Sequence, residues 1–153
     1  MEPITVKDLA ELNRRVGESF GHSSWVEVDQ GRIDLFAQAT DDHQWIHVDP
    51  LRAASGPFGT TIAHGFLTVS LGPALQFQVC QVGNLKMVIN YGLNKVRFPS
   101  PVRSGSRVRL ALRLLSMESL GEGSAQVVWE QVFEIEGQDK PACVAEVVHR
   151  YYA

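Results

Sequence analysis

The 153 residues are 44% hydrophobic and 20% charged, the composition of one ordinary globular domain, which argues against disorder and low complexity. Against 17 acidic residues there are only 14 basic ones, for a formal charge of −3, so no basic footprint for nucleic acid is expected. The apolar runs are too short for membrane insertion, and residues 1–17 lack the apolar core of a secretory leader; with only Cys80 and Cys143, a reduced, cytoplasmic setting is the expectation.

Thr5 is placed to cap an opening helix, with Asp8 three residues on as its capping-box partner. Leu9, Leu12 and Val16 share one face and Gly17 closes it, so residues 1–23 read as an N-terminal helical extension. Ser24 to Val28 has strand composition, and Asp29 precedes a second helical stretch, Ile33 to Ala39. From Thr40 to Ile62 the periodicity disappears, with Pro50, Gly56, Pro57 and Gly59 as punctuation and a short helical turn expected near Pro50 to Ala54. An irregular segment that long inside a compact domain is usually functional.

Residues 64–78 are apolar on nearly every face, which predicts a central helix buried all round. Gly72 and Pro73 predict a kink or early stop within it. Residues 84–152 then read as the main strands. Val108, Leu110, Leu112 and Leu114 alternate with polar positions, as do Val127, Trp129, Phe133 and Ile135, and Cys143, Ala145, Val147 and Tyr151. In the run Leu85 to Phe98 the parity changes near Gly92, where a bulge is expected. With no repeat and no linker, residues 1–153 form a single domain of the α+β class, an antiparallel sheet curled around a buried helix.

The irregular segment carries Asp41-Asp42-His43-Gln44-Trp45-Ile46-His47-Val48-Asp49-Pro50. Asp42 and His47 are five apart, so they converge only if the backbone turns between them. A carboxylate and an imidazole that meet can hold one water and move its proton. From spacing alone, solvated and capping polars are the more ordinary reading. Further on, Ile62-Ala63-His64-Gly65-Phe66 places a glycine at the start of the apolar helix. Helix-start N–H groups point outward, and glycine lets a ligand oxygen approach them. That suits an oxyanion hole for a thioester; the plainer alternative is a tight turn into the helix.

Together these segments, with Pro57-Phe58-Gly59 between them and Tyr91 to Gly105 after the helix, resemble the MaoC-like family of (R)-specific enoyl-CoA hydratases. Its signature runs roughly Gly-Asp-x-Asn-Pro-Ile-His, and Asp42 and His47 fall on the Asp and the His. Asp41 stands in place of the glycine, Gln44 of the asparagine and Trp45 of the proline, a Gln-Trp branch of the pattern. Where some members carry a serine in the central helix, this chain has Pro73. The resemblance implies a hot-dog fold, a sheet wrapped around a long helix. It implies Asp42 and His47 as catalytic residues, Gly65 as the oxyanion donor, and Gln44 and His64 in support.

The implied activity is reversible syn hydration of trans-2-enoyl-CoA, with no cofactor and no metal, coenzyme A being part of the substrate. The expected partners are an acyl-CoA thioester and a second copy of the chain, paired through exposed sheet edges. An acyl-CoA thioesterase and a non-catalytic acyl-thioester-binding subunit are the alternatives. His43 reads as a solvated loop residue and His149 as a satisfied core histidine. Lys95 and Arg97 suit either coenzyme A phosphates or a solvated strand edge. No histidine–carboxylate spacing matches a metal-ligand motif.

Overall fold

The computed structural model describes residues 1–153. In chain order the elements are β1 (Ile4–Val6), α1 (Leu9–Arg14), β2 (Ser19–His22), β3 (Val26–Val28), α2 (Gln30–Thr40), α3 (Trp45–Val48) and α4 (Pro50–Ala54). Then follow α5 (Gly65–Ser70), α6 (Gly72–Val79), β4 (Cys80–Val82), β5 (Met87–Arg97), β6 (Ser106–Gly121), β7 (Ser124–Ile135) and β8 (Cys143–Tyr152). The alternating runs become one antiparallel sheet in the order β2-β6-β7-β8-β5, with β3 also on β6. β5 meets only β8 and shifts register between Asn90 and Gly92, at the expected bulge. No helix is long and apolar enough to cross a membrane.

The alternation shows directly in burial. Along β7, Ala125, Val127, Trp129, Gln131, Phe133 and Ile135 are buried while their neighbours are half-buried. This face packs against α6 through Leu75, Gln76 and Val79. Polar groups trapped there satisfy one another, as burial requires. Gln131 Nε2 donates to Gln76 Oε1 at 2.8 Å, and Trp129 Nε1 donates to the Tyr151 hydroxyl at 2.9 Å. The central helix is broken at Leu71, one residue before Gly72-Pro73. A Cβ on Gly72 would lie 2.5 Å from Gln131 Oε1, so any other residue there must push aside the buried amide that is hydrogen-bonded to Gln76.

Four local readings differ from the structure. The central helix is not buried all round: Leu67, Thr68, Leu75, Gln76 and Val79 face the sheet, while Phe66 and Phe77 are 71% and 64% exposed, because the sheet covers only one side of α5 and α6. Residues 1–23 are not helical throughout, because β1 and β2 flank α1. Thr5 lies in β1, opposite Gln81 in a parallel pair, and the cap of α1 is Asp8. Asp8 Oδ1 accepts the Glu11 N–H, and Glu11 Oε2 accepts the N–H of Lys7 just before the cap, so the cap sits three residues later than expected. His149 is buried as expected, but neither ring nitrogen has a partner. It stacks on Tyr151, whose hydroxyl is engaged by Trp129 and Gln76.

Candidate active site

Three segments meet at the start of α5, each held by local chemistry. α2 is capped by Asp29 at its start and ends at Asp41, whose backbone is left-handed (φ 60°). This is the position where the signature has glycine, and an aspartate is among the few other residues that adopt that conformation readily. The chain reverses there. Asp42 Oδ1 then accepts the Gln44 N–H at 3.3 Å, a side-chain-closed turn that leads into α3. The contact runs through the Gln44 backbone; its exposed side-chain amide, expected to support the loop, makes no hydrogen bond because the turn folds main chain over the carboxylate.

His47 follows on α3, 7% exposed. Its Nδ1 lies 2.7 Å from the Ile62 carbonyl, so that nitrogen carries the proton and Nε2 keeps its lone pair. Ile62 in turn donates its N–H to Ile46 O at 3.0 Å, tying the two segments on both sides. Gln30 Nε2 donates to the His47 carbonyl at 2.7 Å, and Thr61 donates its hydroxyl to Gln30 Oε1. Burial pushes the His47 pKa below 6.5, opposed by the Ile62 hydrogen bond. The nearby His64 lowers it further and the Asp42 charge raises it, and the net direction is down. The ring is therefore neutral at pH 7, in the proton-accepting form.

His64 immediately precedes α5 and is 3% exposed. Its ring stacks on His47 with centroids 3.9 Å apart and packs against Phe36 at 4.9 Å. Its Nε2 donates to the Asp42 carbonyl at 3.0 Å, and its Nδ1 is buried without a partner. One ring nitrogen from each histidine and a carboxylate oxygen of Asp42 all lie within 4.8 Å of one another. Gly65 opens α5 beside them. Its N–H is one of the donors a helix start leaves over, and no turn or loop carbonyl takes it. The Phe98 ring covers this glycine, 3.1 Å from where a Cβ would stand.

The fold thus gathers Asp42, His47, His64 and Gly65 and leaves His43 exposed. Lys95 and Arg97 are exposed on β5. Gln30, Thr61 and Phe36, which orient the two imidazoles, were not singled out in the sequence. Two of them lie on α2, and their proximity to the histidines is a product of tertiary packing alone.

Residues 11–133 match the MaoC like domain. The chain belongs to the MaoC-like family. It is 56% identical over 149 residues to 3-hydroxyacyl-thioester dehydratase Z of Mycobacterium tuberculosis (strain ATCC 25618 / H37Rv), covering 97% of this chain and 99% of the relative. It is 48% identical over 139 residues to nodulation protein N of Rhizobium leguminosarum bv. viciae, covering 90% and 86%. Among solved structures, the unliganded R-hydratase PhaJ1 of Pseudomonas aeruginosa superposes with a TM-score of 0.70 at 25% identity, covering 88% of this chain and 79% of that one. This MaoC-like protein has the hot-dog fold and is a hydro-lyase of the hydratase and dehydratase type.

Proposed function

We propose that the protein is an (R)-specific enoyl-CoA hydratase, adding water reversibly to trans-2-enoyl-CoA to give (R)-3-hydroxyacyl-CoA without a cofactor. The observation that carries this reading is the approach of Asp42 and His47 within 4.8 Å, which one water can bridge. The thioester carbonyl accepts the Gly65 N–H, which draws electron density from C3 and stabilises the enolate oxygen as charge develops there. Water attacks C3 and gives up a proton to the Asp42–His47 pair, and the pair returns one to C2. The hydroxyl and the hydrogen arrive from the same side, so addition is syn. Asp42 and His47 act as a coupled unit, with His47 held in its accepting tautomer by Ile62 and Asp42 held by its carbonyl on His64.

The reading is tested by following loss of enoyl absorbance with crotonyl-CoA and determining the product configuration. Release of free thiol instead would make the protein a thioesterase, and binding without turnover would make it a non-catalytic acyl-thioester-binding subunit. Gly65→Ala probes the oxyanion donor. The new methyl group meets the Phe98 ring, but that ring is 40% exposed and can give way, so the stability loss should be small, about 1 kcal/mol. Hydration should fall by more than this change in stability explains. Alanine keeps the N–H, so an unchanged rate in the folded variant would overturn the claim that the thioester needs the bare Cα of Gly65 to reach that donor.

The second copy expected from the open sheet edge also belongs to this proposal. β5 is unpaired on one side and exposes Val88, Ile89, Tyr91 and Leu93, while Phe66 and Phe77 stand exposed on α5 and α6. Such an edge invites strand pairing. Sedimentation should give the mass of two chains, and a monomer at micromolar concentration would refute the pairing. A cytoplasmic location is proposed on the two buried, unpaired cysteines.

A further inference from the structure

Two cavities of about 410 and 310 Å³ lie side by side between the central helix and the sheet. Pro73 of α6, Asn90 of β5 and His149 of β8 line both, so these three side chains form the waist of one groove. The smaller cavity is walled by Val69 and Ser70 at the end of α5 and by Tyr91, Gly92 and Leu93 of β5. Those two elements lead back to Gly65 and to Phe98, whose ring stands 3.1 Å from where a Gly65 Cβ would be. From Gly65 to Pro73 the helix rises about 12 Å at about 1.5 Å per residue, the span of an extended acyl chain of about eight to ten carbons.

A plain hydrocarbon chain is best matched by apolar walls, and Pro73 supplies one on the helix side of the waist. The sheet side is polar. Asn90 and His149 are cross-strand partners, so their side chains share one face, and the Asn90 side chain is exposed. His149 is 3% exposed and neither of its ring nitrogens has a partner. Burial keeps the ring neutral at pH 7, so it offers one N–H and one lone pair. Leaving both unmade is costly, and an aliphatic side chain would fill the position without that cost. A hydroxyl in the groove donates and accepts at once, so it can bond one imidazole nitrogen and the Asn90 amide together. We propose that the protein takes acyl thioesters whose chain carries a hydroxyl group at about the eighth to tenth carbon, and that His149 and Asn90 recognise that hydroxyl. The direction of the chain rests on the hydratase reading, which places the thioester at Gly65; the polar waist does not.

The experiment titrates the full chain by calorimetry with saturated acyl-CoAs, which have no double bond to hydrate: octanoyl-CoA and decanoyl-CoA against their ω-hydroxy forms. At one or both lengths the hydroxyl should tighten binding by at least about 10-fold. In an apolar tunnel the same hydroxyl weakens binding, because it loses water and gains no partner, so the sign of the change decides. His149→Leu, which fills the position with an apolar side chain, should abolish or reverse the preference. Asn90→Ala, at an exposed position that does not threaten folding, should reduce it by about 3-fold or more. Plain chains that bind as tightly as hydroxylated ones at both lengths overturn the proposal, and so does a preference that survives both variants. Crotonyl-CoA hydration on the same sample tests the hydratase reading separately, because its short chain does not reach the waist. Hydration without a hydroxyl preference leaves the hydratase reading standing and overturns only the polar groove. A preference that depends on His149 and Asn90 in a protein inert toward crotonyl-CoA supports the groove and counts only against the hydratase reading. No binding of any acyl-CoA overturns both.

Discussion

Asp42→Asn and His47→Gln should each lose about 10²–10⁴-fold in hydration rate, equivalent to about 3–5 kcal/mol of barrier. Asn keeps the shape of Asp42 and still accepts the Gln44 N–H, but it has neither the negative charge nor the proton affinity. Gln at position 47 keeps polarity and approximate reach but titrates nowhere near neutrality. Because the two groups share one water, the double variant should be little worse than either single one. Binding of acyl-CoA should change little, since Gly65 and the surrounding walls remain. Asp42 is exposed, so Asp42→Asn should unfold at the wild-type temperature, which separates lost chemistry from lost structure. The wild-type rate should fall as acid protonates His47, with its midpoint below pH 6.5 in line with the direction of its shift. Near-normal hydration in both single variants would dismiss the pair as catalytic.

Acid should also weaken the fold itself, through a different histidine. Burial lowers the pKa of His149 to about 4 from a normal 6.5. The unfolded chain takes up a proton there near pH 6.5, whereas the folded chain does so only near pH 4. Between those values the unfolded state binds more protons, so stability falls as the pH drops. The gap corresponds to about 3 kcal/mol, fully lost below pH 4 and absent above pH 6.5. His149→Leu should flatten this window. At pH 7 it should be as stable as the wild type or more so, because it removes two buried nitrogens that have no partner. Denaturant unfolding at pH 7 and pH 4 on both proteins checks this. An equal acid loss in both would assign the effect to other groups.

His149 also marks a boundary of what a sequence can tell. Its side of β8 follows from alternation, so its burial was legible. Whether a donor or acceptor faces it depends on packing: the Tyr151 ring stacks on it, and the Tyr151 hydroxyl is spent on Gln76 of α6 and Trp129 of β7. The same division runs through the site. Asp29 and Asp49 cap their helices with a partner three residues away, and such contacts are readable because they are local. The bulge in β5 and the break before Gly72-Pro73 are local as well. Thr5 is the counter-example: its capping chemistry was available locally, but a parallel pairing with Gln81 claimed its backbone.

By itself the sequence determined the α+β class, the strand faces of β6 to β8, the apolar helical stretch with its break, and the Asp42, His47 and Gly65 positions that match the MaoC-like pattern. These depend on residue type and on spacings of a few residues, where backbone geometry leaves little choice. That the stretch is covered on one side only was decided by the packing. Tertiary structure alone decided that His64 lies over His47 and reaches the Asp42 carbonyl, and that Gln30 and Thr61 brace the His47 backbone. Those contacts join α2, α3 and the start of α5 across up to 31 positions of chain. Their partners are chosen by how the segments pack on the sheet, and no periodicity in the chain carries that information.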